Sequence, residues 1–152
     1  MGLYIGVLSH QVARVSAGLP AAGAWDIAMP ELVCAGAEQV TLHLGYTRGA
    51  AGGAFDWQVA VSPYSIAALV PAGGAEWTTL ALYEAGAVVA GADTQSNVQR
   101  EYQNYASTAA AQEAWVYGPI GLAGSIERLR VRARETGVVG TPGILQITAV
   151  FS

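Results

Sequence analysis

Two strict period-two alternations separated by a glycine-rich stretch constrain this chain more than any other feature. In Val40-Thr41-Leu42-His43-Leu44-Gly45-Tyr46-Thr47 the apolar positions are Val40, Leu42, Leu44 and Tyr46. In the next such run Phe55, Trp57, Val59 and Val61 share one face, while Asp56, Gln58, Ala60 and Ser62 share the other. Successive side chains of a strand point to opposite sides, so each run is a strand with a buried face. Between them lies Arg48-Gly49-Ala50-Ala51-Gly52-Gly53, whose glycines permit the positive φ values of a tight connection. The expectation is a β-hairpin.

Other strands follow from weaker versions of the same pattern. Trp25, Ile27 and Met29 alternate before Pro30, with Leu32-Val33-Cys34 continuing that strand or starting another. Trp77 to Tyr83 is apolar on both faces, as a central strand would be, with Trp77 placed in the core beside Trp57. Gly86 to Asp93 suggests a loop, and Val98 to Tyr105 an exposed strand. Residues 106–114 are alanine-rich and suit one short helical turn. Trp115 to Tyr117 is a short strand ended by Gly118-Pro119, and Ile126 to Glu135 and Ile144 to Phe151 are clear strands. About eight strands with frequent turn signals predict an all-β antiparallel sandwich or jelly roll. Residues 1–24 contain apolar side chains and glycines without sustained alternation, so they are expected to form an extended N-terminal arm. The sandwich is then residues 25–152, a length suited to one domain.

Composition narrows the function. Seven basic and eleven acidic residues give a net charge of −4, which argues against a nucleic-acid binder. Only 12% of residues are charged, and 29 alanines and 19 glycines account for much of the apolar excess. The single cysteine, Cys34, excludes an intrachain disulfide and a multi-cysteine zinc site. Apolar runs fall short of a membrane span, and MGLYIGVLSH lacks the basic start of a secretory signal. Catalytic groupings are sparse. His10 and His43 are far apart in sequence, Ala123-Gly124-Ser125-Ile126-Glu127 fails the nucleophile-elbow pattern, and a phosphate loop needs the lysine this chain lacks. No catalytic residue, cofactor or metal site is expected.

The most unusual local feature is the run from Ile126 to Glu135. Leu129, Val131 and Ala133 point one way, and Arg128, Arg130, Arg132 and Arg134 the other, about 7 Å apart along the strand. Residues 126–135 carry a net +2, residues 1–125 a net −6, so a basic stripe lies on an acidic body. The stripe is either a solvated face paired with acids such as Glu101, or a contact for an acidic partner surface or sister subunit.

Gln39 to Gly49, Phe55 to Ser62, Glu127 to Gly137 and Gly143 to Val150 together resemble the opening and closing strand pairs of small phage virion β-sandwich proteins. With the lysine-free, Ala/Gly/Arg-rich composition and the N-terminal arm, the chain is most similar to the capsid decoration proteins of thermophilic tailed phages. That resemblance implies a homotrimer on the outer capsid surface of the virion, bound to the major capsid protein and reinforcing the shell, without nucleic-acid or membrane contacts. A minor tail or neck protein and a carbohydrate-binding jelly roll are the alternatives. Candidate partner-binding residues are Leu3, Tyr4, Ile5, Val7, Leu8, Val12 and Arg14 on the arm and Arg128, Arg130, Arg132 and Arg134 on the stripe. Deleting residues 1–24 should then leave a folded sandwich that assembles poorly.

Overall fold

A computed structural model describes residues 9–34, 36–83, 88–89, 92–93, 99–107 and 111–152. The strands in chain order are β1 (Ser9–Gly18), β2 (Leu32–Val33), β3 (Gln39–Thr47), β4 (Ala54–Ser62), β5 (Thr78–Thr79) and β6 (Leu82–Tyr83). They continue with β7 (Val88–Val89), β8 (Ala92–Asp93), β9 (Gln99–Arg100), β10 (Gln103–Ala106), β11 (Gln112–Gly121), β12 (Arg128–Glu135) and β13 (Ile144–Phe151). One sheet has four strands in the order β1-β13-β3-β11, the other five, in the order β10-β4-β12-β2 with β5 also on β4. Every pairing is antiparallel. The expected all-β sandwich is therefore the fold. Its main sheets hold more strands than the eight expected, and β6 with β9 and β7 with β8 form two further short ladders.

The expected hairpin is not one. β3 and β4 occupy the predicted residues, but β3 pairs with β13 and β11, whereas β4 pairs with β12, β10 and β5. The 48–53 connection carries the chain across the sandwich instead of folding it back within a sheet. Val40, Leu42, Leu44 and Tyr46 thus face Phe55, Trp57, Val59 and Val61 across the core, all buried. Facing rows bury both apolar sets, which a two-stranded hairpin leaves on one open side. The loop fits only because it is small: a Cβ on Gly49 would lie 2.3 Å from the Thr141 carbonyl oxygen. The closing strands repeat the arrangement, β12 in one sheet and β13 in the other.

The described part of the N-terminal segment is likewise not an arm. β1 lies along β13 from Ser9↔Phe151 to Gly18↔Ile144, and Ala13 and Leu19 belong to the core. Register shifts between Val12 and Arg14 and between Arg14 and Ala17 explain the missing alternation. At a bulge an extra residue enters the strand, so neighbouring Ala13 and Arg14 can both turn inward. Residues 1–8 lie outside the described residues.

Several local expectations also change. Residues 25–29 form no strand, and Ile27 is 95% exposed. The 77–83 strand is reduced to the two-residue pieces β5 and β6. In place of a helical turn across 106–114, β10 ends at Ala106 and β11 begins at Gln112, with 108–110 outside the described residues. A single alanine-rich turn stabilises itself weakly, while strand pairing from Gln112 to Gly121 covers the open edge of β3. β11 continues past Gly118-Pro119 because it is an edge strand, with a register shift between Tyr117 and Ile120 accommodating the proline. The 86–93 region contains β7 and β8, and its remaining residues lie outside the described set.

Candidate functional site: the arginine face of the second sheet

β12 divides its side chains as its alternation requires. Leu129, Val131 and Ala133 are fully buried in the core, and the four arginines project from the opposite face. Their neighbours on β4 are Ser62, Ala60, Gln58 and Asp56, paired respectively with Arg128, Arg130, Arg132 and Arg134. All four neighbours are buried as well. The arginine face is therefore partly covered.

Tryptophans supply much of that cover. Trp77 lies under both Arg128 and Arg130, with guanidinium carbons 4.9 and 4.4 Å from its ring centre. Trp25 similarly receives Arg134 at 4.3 Å and Arg132 at 5.9 Å, and Tyr102 is 5.3 Å from Arg134. Guanidinium groups stack on aromatic rings because they are planar, charged and weakly hydrated on their faces. Trp77 is consequently a half-buried outer residue, not the core residue expected; Trp57 is the fully buried one.

The outer arginines of the row are neutralised. Arg128 donates to Glu31 Oε2 at 2.7 Å, Glu76 Oε1 at 2.9 Å and the Tyr64 carbonyl oxygen at 2.6 Å. Burial opposes its charge, but the hydrogen bonds to Glu31 and Glu76 outweigh it and raise its pKa. Arg134 pairs with Asp56 at 2.9 Å. The carboxylates facing the stripe are Glu31, Glu76 and Asp56 rather than Glu101.

The inner two differ. Among the described residues neither Arg130 nor Arg132 has a carboxylate within ion-pair distance. Both are half-buried, and the Nε–H of each is buried without a hydrogen-bond acceptor. Burial, followed by the positive charge of Arg132, lowers the pKa of Arg130. The centre of the face thus holds two adjacent cations without a direct ion pair among the described residues, with Glu76 and Glu31 acting on Arg130 only through longer-range attraction.

The remaining candidate residues are dispersed. Leu3, Tyr4, Ile5, Val7 and Leu8 lie outside the described residues. Val12 is 46% exposed on β1. Arg14 is only 4% exposed, so it does not offer the partner contact expected of it. Its Nε and Nη2 donate to the Asp26 carboxylate at 2.9 and 3.1 Å, and its Nη1 to the Leu145 carbonyl oxygen at 2.5 Å. Asp26 Oδ2 also accepts from the Ala133 amide at 3.0 Å, which ties the first sheet to β12.

Sequence alone left a second surface unremarked. Among the described residues, the outward strand positions of the first sheet, His10, Val12, Thr41, His43, Gly45, Thr47, Gln112, Ala114, Val116, Ile144, Gln146, Thr148 and Val150, contain no aspartate, glutamate or arginine. Val12, Thr148, His43 and Val116 form one cross-strand row of it. Because Gly45 has no side chain between Ala114 and Gln146, a shallow groove of about 350 Å³ opens there, bordered also by Ser16 and, on the β11 edge, by Glu113. The signal was the polar, uncharged off-face of each alternating strand, but its meaning depended on which strands stand side by side.

Tyr105 and Trp115 are near-parallel, with centroids 5.1 Å apart and planes at 21°, but they pack against the core instead of forming an open stacking platform. Among the described residues no group of three or more histidine, cysteine, aspartate or glutamate side chains is placed to hold a metal ion. No helix there is long and apolar enough to cross a membrane. No family model, curated protein or solved structure matches the chain.

Proposed function

We propose that this protein is a virion structural protein, a capsid decoration protein that binds the major capsid protein as a homotrimer on the outer shell surface. The observation that carries the reading is the outer face of the first sheet, whose described outward strand positions hold no acid or arginine. Covering charged groups costs desolvation, and the cores of protein interfaces are depleted of charge accordingly. Strands about 4.8 Å apart and about 27 Å long give four strands roughly 500 Å² of projected area, comparable in scale to one side of a standard interface. Valine, threonine, isoleucine and glutamine across this face supply contact area with little rotamer entropy to lose on the β-branched positions. The function is mechanical: area buried between neighbours raises the free energy needed to separate capsomers.

The test is sedimentation of purified protein with capsids assembled from the major capsid protein of the same virus. The wild-type chain should pellet with the capsids, and Val116→Asp or His43→Glu should remain in the supernatant while melting normally. Wild-type protein that stays in the supernatant at micromolar concentration overturns the reading. Light scattering of the free protein checks the trimer, and a monomer refutes that part.

A further inference from the structure

We propose that Arg130 and Arg132 form a recognition site for an extended acidic segment of a partner protein, with two carboxylates presented at alternate positions. This rests on the assembly role above and names the partner chemistry of a face that role leaves unused. Three observations converge on it. The fold pairs Arg128 and Arg134 directly with carboxylates but, among the described residues, places none within ion-pair distance of the two arginines between them. Their buried Nε–H groups lack internal acceptors. Trp77 and Trp25 lie over guanidinium faces of Arg130 and Arg132 at 4.4 and 5.9 Å, and both side chains remain partly exposed. An edge-on guanidinium is the geometry that receives a carboxylate through two parallel hydrogen bonds.

Spacing and charge select the ligand. Arg130 and Arg132 are separated by two strand residues, about 7 Å, which matches carboxylates at positions i and i+2 of an extended chain. The site offers two positive charges bounded by Glu31 and Glu76 on one side and Asp56 on the other. A dianionic segment fits between those acids. A nucleic-acid strand or long sulfated polysaccharide would run its further charges into them and into a body of net negative charge. Binding an anion also relieves the repulsion between Arg130 and Arg132, which already depresses the pKa of Arg130 after burial.

The experiment follows the arginine Nε–H resonances of the full chain by ¹⁵N NMR. The probe is the capped peptide Gly-Asp-Thr-Asp-Gly, with Gly-Asn-Thr-Asn-Gly as its neutral control. Saturable shifts of Arg130 and Arg132 with the aspartate peptide only, weakening as salt is raised, are expected. The double variant Arg130→Gln/Arg132→Gln, folded by its melting curve, should bind about tenfold or more weakly. Absence of shifts at millimolar peptide, or equal shifts of all arginines, overturns the proposal. So does tighter binding of an oligothymidylate or a sulfated oligosaccharide at the same salt. If the double variant fails to fold, the wild-type titration decides alone. Peptide binding by a protein that ignores capsids refutes the capsid reading and keeps this site; capsid binding without peptide binding does the reverse.

Discussion

The Tyr46 hydroxyl donates a 2.7 Å hydrogen bond to Glu135 Oε1, joining the end of β3 in one sheet to the end of β12 in the other. Glu135 is fully buried and also accepts from the amides of Gly143 at 2.8 Å, Ala54 at 2.9 Å and Gly137 at 3.0 Å. One carboxylate therefore gathers the 48–54 and 136–143 loops at one end of the sandwich.

Burial disfavours the Glu135 anion, but hydrogen bonds from Tyr46 and the Gly143, Ala54 and Gly137 amides outweigh it, so its pKa lies below the ordinary value. A depressed folded pKa gives stability that is fully present above the unfolded carboxylate pKa, about 4.3, and is lost as pH falls through the folded value. Glu135→Gln should destabilise by about 2–4 kcal/mol at neutral pH because an amide cannot accept from so many donors. Its loss of stability on acidification should be shallower than wild type below about pH 4. Tyr46→Phe should cost about 1–2 kcal/mol. Urea unfolding from pH 2.5 to 7 measures all three.

Arg14 and Asp26 make the second prediction, and it reverses the expectation for the N-terminal segment. Side chains of the pair are 5% and 9% exposed, and Asp26 also receives the Ala133 amide. Asp26→Ala leaves a buried guanidinium without its counter-ion and should cost about 3–5 kcal/mol. Deleting residues 1–24 removes both Arg14 and the β1 edge, so the truncated chain should unfold or melt far below wild type. Circular dichroism melting decides: an unchanged midpoint would restore the independent arm.

Two glycines on β3 and beside β13 should respond oppositely to alanine. A Cβ on Gly45 meets nothing within 4 Å, so Gly45→Ala should be neutral or stabilise by up to about 1 kcal/mol. A Cβ on Gly143 would lie 2.2 Å from a ring carbon of fully buried Tyr46, and Gly143→Ala should destabilise by about 1–3 kcal/mol or more. Differential scanning calorimetry of the two variants checks the sign of each.

Cys34 provides a local probe of opening. Cys34 is 2% exposed, and burial followed by the charge of Glu127 pushes its thiol pKa up to about 11. The reactive species is the thiolate, so a disulfide reagent at pH 8 should modify folded protein at least about a hundredfold more slowly than unfolded protein. Comparable rates in both states would show that the segment around Cys34 opens freely.

Alternation alone identified the residues of β3, β4, β12 and β13 and, for the first three, the face turned to the core, since backbone geometry sends neighbouring side chains to opposite sides whatever the partner. It likewise separated Leu129, Val131 and Ala133 from the four arginines. Which strands pair, and across which sheet, was settled only by tertiary structure: apolar rows can be buried in one sheet or in two facing ones, and the local pattern is the same. That decision turned the 48–53 connection into a crossing, placed β1 beside β13 despite its bulges, and brought Trp25 and Trp77 over arginines far away in sequence. The basic stripe was legible as a row of four equal cations. Only the fold distinguishes its ends from its centre, because Glu31, Glu76 and Asp56 reach Arg128 and Arg134 through long-range packing that no spacing rule encodes.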